Sequence, residues 1–139
     1  MKEKIIIFCI VIIIGVYGFD WYNNYQKEQD KTYKNTPGIY DLEVEPNVIK
    51  ETYKNNELDG NKKYFGKRIK VTDKYEKVET FLGDIMLYLD DVYCDSYNSE
   101  KDKEKLSTIN KGQIVTVIGT GDGYAGTFKL KDCEIIEIK

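Results

Sequence analysis

The chain has 139 residues, 32% of them charged, with a formal net charge of −3 and no histidine. That length holds one small globular domain. The near-balance of charge disfavours a dedicated nucleic-acid binder, which carries a strongly basic face. The lack of histidine removes the commonest general base, metal ligand and pH switch.

Met1-Lys-Glu-Lys4 precedes an uninterrupted apolar run from Ile5 to Phe19, IIIFCIVIIIGVYGF. As a helix this run covers about 22 Å, or about 27 Å with Trp21 and Tyr22, against a hydrocarbon core of about 30 Å. Trp21 and Tyr22 are residues that settle at a membrane interface, and Lys2 and Lys4 belong on the cytoplasmic side. The pattern predicts a single-pass membrane anchor helix over residues 1–22. It would meet the membrane through residues 5–22, with the N-terminus in and the C-terminal domain outside the cell membrane. The alternative is a secreted protein cut after Val16-Tyr17-Gly18, a poor match to the small residues of a cleavage site. A lipoprotein signal is rejected, because Phe8 precedes Cys9 and Cys9 lies too early.

Residues 23–45 are polar and aromatic without a period and read as a spacer, with a turn at Thr36-Pro37-Gly38. Pro46 opens a helix, in which Val48, Ile49, Thr52, Tyr53 and Asn56 fall on one side at helical spacing and which is expected to end before Gly60. Strands follow at Arg68–Val78, where Ile69 and Val71 alternate with Lys70 and Thr72, and at Asp84–Leu89, with Ile85, Leu87 and Leu89 on one face. A third is expected at Val92–Tyr97. Ser99–Ile109 reads as a short helix, Gln113–Gly119 and Thr127–Ile138 as the last two strands, and Gly119–Gly126 as the hairpin loop between them. The class is mainly β. Short, evenly spaced strands with a helix between the third and fourth suggest a small closed barrel.

Several segments resemble one family. They are Tyr53-Lys-Asn-Asn56, Lys63-Tyr-Phe-Gly66-Lys-Arg-Ile-Lys-Val71-Thr72, Val92-Tyr-Cys94, Leu106-Ser-Thr-Ile109-Asn-Lys-Gly112-Gln-Ile-Val115, Gly119-Thr-Gly121-Asp-Gly123 and Leu130-Lys-Asp-Cys133. Together they are similar to the tRNA-anticodon-binding-like (tRNA_anti-like) OB-fold family of anchored or secreted bacterial proteins, over residues 46–139. The resemblance implies a five-stranded OB-fold barrel with an N-terminal helix and a helix between strands 3 and 4. It implies a fold and a location more than an activity.

Within an OB fold the third and fifth strands are neighbours, so Cys94 and Cys133 are candidates for a disulfide. Two reduced core cysteines are the alternative. The loop between strands four and five frames an OB ligand groove, which makes Tyr124 a candidate contact. Tyr75, Tyr88, Tyr93 and Tyr97 are further ligand-binding candidates, since tyrosine joins a broad apolar face to a polar tip, although half of them are expected to pack the barrel. Lys62, Lys63, Lys67, Arg68 and Lys70 form a candidate basic patch interleaved with Tyr64 and Phe65, a combination that suits single strands. Asp90, Asp91 and Asp95 stand against phosphate there. No cysteine pairing with metal-ligand spacing, phosphate-loop sequence or nucleophile elbow is present.

The expectation is therefore a non-catalytic, anchored, extracytoplasmic binding module without a cofactor or metal. Its partners would be the membrane and an envelope protein, peptide or glycan. Single-stranded nucleic-acid binding is the alternative.

Overall fold

The computed structural model describes residue 15, residues 17–28 and residues 36–139. The anchor expected over residues 5–22 falls mostly outside the described residues. Among the described residues no helix is long and apolar enough to cross a membrane. The chain divides into two compact units, Met1–Thr36 and Pro37–Lys139. In the first, residues 17–28 are helical (α1), with Trp21 stacked on Tyr25 at 5.7 Å.

The second unit is mainly β and OB-like. Its elements are β1 (Leu42–Glu43), α2 (Pro46–Asn55), α3 (Glu57–Tyr64), β2 (Arg68–Phe81), β3 (Asp84–Leu89), β4 (Val92–Cys94), α4 (Glu100–Leu106), β5 (Ile114–Tyr124) and β6 (Phe128–Ile138). All six strands form one sheet. The pairs β2–β3, β3–β4, β5–β6 and β2–β5 are antiparallel, and β4–β6 is parallel. Because β2 pairs with β5 through residues 68–74 and with β3 through residues 75–81, the ladder of five strands returns to its start. The alternating residues Ile69, Val71, Leu87, Leu89, Val115 and Val117 point inward and are fully buried with Phe128, Leu130 and Ile135. Ile49 of α2 covers this core.

Several boundaries differ from the sequence expectations. The expected N-terminal helix does end before Gly60, at Asn55, but a second helix, absent from those expectations, follows at once. Asn56, expected on the helix face, is extended and forms the break: its side chain accepts hydrogen bonds from the Leu58 and Asp59 amides and starts α3. Asparagine at an N-cap with acidic residues in the next turn is a strong start signal. Gly60 lies inside α3 because a Cβ there would stand 2.6 Å from the Tyr53 ring. The compact unit also begins before residue 46. β1 pairs in parallel with β2 (Leu42 opposite Ile69), and the Asp41 carboxylate accepts from the Arg68 amide at 2.7 Å.

β4 ends at Cys94, three residues short of expectation, and Tyr97 makes only an isolated bridge to Cys133. Residues 119–124, expected in a loop, belong to β5. Gly119 and Gly121 are demanded by packing. Gly121 lies directly against the Tyr64 carbonyl, and a Cβ on Gly119 would meet Cys133 Sγ at 2.9 Å. Cys94 and Cys133 form a disulfide between β4 and β6, with Cα atoms 6.2 Å apart, and both are fully buried.

Two features bracket β2. At its start Arg68 is fully buried: Nη1 donates to the Asp132 carbonyl at 2.7 Å, and Nη2 lies 3.8 Å from Glu134 Oε2. The Glu134 carboxylate also accepts from the Gly38 amide. At its end Phe81 and Leu82 are 64% and 90% exposed, and Leu82 and Gly83 have φ of 51° and 90°. Positive φ at both central residues of a two-residue hairpin favours Asn-Gly, and a leucine in that region costs about 1–2 kcal/mol.

Candidate ligand-binding cleft

A cleft of about 550 Å³ opens where α3 meets the far ends of β4, β5 and β6. α3 and the residue after it supply Glu57, Asn61 and Phe65; β4 supplies Tyr93; β6 supplies Lys129; and the β5 end with its turn supplies Asp122, Gly123, Tyr124 and Ala125. Tyr93 and Lys129 are direct partners across the parallel β4–β6 ladder, which fixes their spacing. The wall behind is aromatic. Tyr124 stacks on Tyr53 with centroids 5.1 Å apart and planes 12° apart, Tyr53 contacts Tyr64 and Phe128, and the Tyr53 hydroxyl donates to Asn61 Oδ1 at 3.2 Å. Tyr93 in turn stacks on Tyr88 at 5.6 Å, and Lys77 Nζ lies 5.0 Å above the Tyr88 ring. Rings held by other rings form a rigid surface, since aromatic pairing adds to simple burial. Partial burial pushes the Tyr53 and Tyr93 phenols above their ordinary range, so both rings are neutral at physiological pH.

The charges at the cleft are matched. Lys129 Nζ lies 2.7 Å from Asp95 and 3.1 Å from Asp122, and Asp122 also meets Lys131 at 3.1 Å. Hydrogen bonds from Lys131 and Lys129 hold the Asp122 carboxyl below the usual carboxylate range. Asp95 and Asp122 raise Lys129 above the ordinary lysine value. This chain of two cations and two anions is neutral. Glu57, exposed at the start of α3, makes no ion pair among the described residues.

Of the tyrosines read from the sequence, Tyr93 and Tyr124 line the cleft and Tyr88 buttresses Tyr93. Tyr75 and Tyr97 are elsewhere. Tyr75 sits opposite Leu89 and packs on the core. Tyr97 donates to the Cys94 carbonyl at 3.3 Å, and burial raises its phenol strongly. The basic patch does not assemble as one face. Arg68 is in the interior, Lys63 pairs with Asp59 at 2.8 Å, and Lys70 pairs with Glu43 at 3.2 Å beside the Tyr40 ring. Lys62 and Lys67 remain exposed. Of the acids expected to repel phosphate, Asp91 is bound to Lys50 at 2.6 Å and Asp95 to Lys129. Glu57, Asn61, Asp122 and Lys129 were not legible as site residues. Asn56 followed by Glu57 and Asp59 is a local helix-start pattern that could have located α3, and the rest depends on tertiary pairing.

A second concavity of about 620 Å³ runs between β1, the start of α2 and β2. Glu43, Glu45, Asp73 and Asp91 face it, and burial raises the Asp73 carboxyl. Among the described residues no cluster of three or more acidic or cysteine side chains is placed to hold a metal.

The fold is similar to that of a Klebsiella pneumoniae subsp. pneumoniae MGH 78578 protein named a "putative nucleic acid-binding lipoprotein". The two share 11% identity over 68% of this chain and 91% of the other, with a TM-score of 0.55. More distant similarities are to the Stn1–Ten1 complex of S. pombe (15% identity, 50% of this chain and 58% of the other, TM-score 0.41) and to RecG bound to a three-way DNA junction (19% identity, 72% and 13%, TM-score 0.44). No curated protein sequence matches. The tRNA_anti-like family model matches residues 1–134, and the chain belongs to that family.

Proposed function

We propose that this protein is a membrane-anchored, extracytoplasmic and non-catalytic OB-fold module, a five-stranded OB barrel that binds a peptide or glycan ligand in the α3–β4–β5 cleft. The observation that carries the reading is the cleft itself: Phe65, Tyr93 and Tyr124 line it, and its lysine is already neutralised by two carboxylates. Such a surface favours ligands with apolar faces and polar edges over polyanions.

Anchoring is supported by the apolar run Ile5–Phe19 with its flanking lysines. An oxidising location is supported by the Cys94–Cys133 bridge, because disulfides persist outside the cytoplasm. A secreted form, released by cleavage, is the alternative. Membrane fractionation with N-terminal sequencing separates the two, since an intact N-terminus in the membrane fraction fits only the anchor.

Single-stranded nucleic acid is the competing ligand, favoured by the Klebsiella neighbour's name and by exposed Lys62 and Lys67 around Phe65. The test uses full-length protein in neutral detergent micelles, with oligonucleotide anisotropy at rising salt alongside peptide and glycan arrays. The expected result is array binding that Tyr93→Ala abolishes, with no oligonucleotide shift at low salt. A steeply salt-dependent oligonucleotide affinity would reverse the assignment.

A further inference from the structure

The matched charges at the cleft leave one carboxylate over. Lys131, Asp122, Lys129 and Asp95 form a closed chain of alternating sign, whereas Glu57 projects from the first turn of α3 into the same cleft without an ion pair among the described residues. The charged residues that line the cleft, Glu57, Asp122 and Lys129, therefore sum to −1, and the lysine among them is already engaged. Its aromatic rings are pre-positioned: Tyr124 has one face covered by Tyr53 and Tyr93 has one covered by Tyr88, yet both still line the opening. A fixed aromatic surface beside an uncompensated carboxylate attracts a cation, through the ring quadrupole and through direct charge. A lysine or arginine side chain adds an apolar stem that lies along such rings.

Resting on the reading of this cleft as the binding site, we propose that its ligand is a polypeptide that inserts a lysine or arginine side chain, with the cation at Glu57 and the stem across Tyr93 and Tyr124. The neutral Asp95–Lys129–Asp122–Lys131 chain imposes no repulsion on that cation. A phosphate-bearing strand gains nothing from Glu57 and is rejected by it. A neutral glycan gains no charge attraction from Glu57.

The test uses full-length protein in neutral micelles, titrated with the blocked pentapeptides Gly-Gly-Xaa-Gly-Gly, where Xaa is lysine, arginine, norleucine or glutamate, and followed by the NMR signals of the Tyr93 and Tyr124 rings. Lysine and arginine peptides are expected to bind about fivefold more tightly than the norleucine peptide, in keeping with the modest strength of exposed cation–π and ion-pair contacts. The glutamate peptide is expected to be weakest. Glu57→Gln should erase the lysine preference and leave norleucine binding unchanged, while Glu51→Gln on the exposed face of α2 should alter neither. Equal binding of lysine and norleucine peptides at these rings overturns the inference while leaving the cleft as a peptide site. If no peptide shifts either ring but an oligosaccharide does, the cation inference falls and the glycan branch of the function stands. If only an oligonucleotide shifts them, both fall.

Discussion

Arg68 and Lys129 are both cations held by acidic neighbours on one sheet, yet they sit in opposite physical regimes. Arg68 is fully buried at the start of β2, between Glu134 and the Asp132 carbonyl, and its own backbone binds Asp41. Lys129 has 31% of its side chain exposed at the cleft, between Asp95 and Asp122. Water near Lys129 supplies an alternative partner for every charge, so its pairs contribute little to stability and can rearrange around a ligand. At Arg68 no such exchange exists, and the network serves to fix the segment from Gly38 to Glu43 onto the sheet. The same pairing chemistry thus fixes structure in one place and tunes a binding surface in the other, with burial deciding which.

That contrast breaks most readily at Arg68. Arg68→Ala removes a fully buried cation and side chain and leaves the half-buried Glu134 without it, and is expected to cost roughly 3–5 kcal/mol, read from the urea midpoint. A double Arg68→Met, Glu134→Gln variant removes both charges and should recover part of the loss. A cost below about 1 kcal/mol would place Arg68 in the same weak regime as surface pairs. Next in size is the disulfide. Its residues are 39 apart in sequence, and Cys94→Ala with Cys133→Ala should lower stability by about 2–4 kcal/mol, mainly by releasing the unfolded chain. Because the bridge joins β4 to β6 one position beyond Tyr93, the same variant should also weaken cleft binding. Unchanged stability on adding reductant to the native protein would sink the structural role of the bridge.

How much of this was legible follows from what each residue depends on. The alternation of Ile69 and Val71, and of Ile85, Leu87 and Leu89, is local, and the strands it predicts are there. β1 has two residues, too few for any period, and exists only because β2 offers it an edge. Gly60 reads as a stop because glycine is a poor helix former. Only the Tyr53 ring above it shows why the helix keeps it. Arg68 reads as one of five surface cations, since its partners Asp132 and Glu134 lie at the other end of the chain. The cleft was half legible. Tyr93 and Tyr124 were readable as amphipathic rings near an OB groove, but Glu57 reaches them through the Asn56 break, and Asp122 through a strand that the glycine run had disguised as a loop.

The hairpin tip is a smaller lever of opposite sign. Leu82 is 90% exposed at φ 51°, so it contributes neither burial nor a favourable turn conformation. Leu82→Asn, which suits the first central position of this turn, should raise stability by about 1 kcal/mol and leave the cleft untouched. A destabilised variant would show that Leu82 makes a compensating contact.

The weakest effect is expected at the cleft, and pH exposes it. Asp122 is held below its ordinary range chiefly by the hydrogen bond from Lys131. A carboxyl depressed in the folded state contributes stability that is complete above the unfolded value of about 3.9 and is lost as pH falls through the folded value. Asp122→Asn should therefore cost less than about 1 kcal/mol at pH 7, as exposed pairs do. Its stability curve should converge on that of the parent as the pH falls past the unfolded carboxylate value and through the lower folded one. Asp73 bends the acid limb the other way: burial raises its carboxyl, so protonation from neutral pH downward relieves a penalty. Comparing Asp122→Asn with the parent cancels that contribution, because Asp73 lies across the sheet beside Asp91 and is common to both. A difference that persisted unchanged after the carboxyls are protonated would mean that the Lys129–Asp122–Lys131 chain acts through packing and not through charge, and the exposed-pair regime assigned to the cleft would fall.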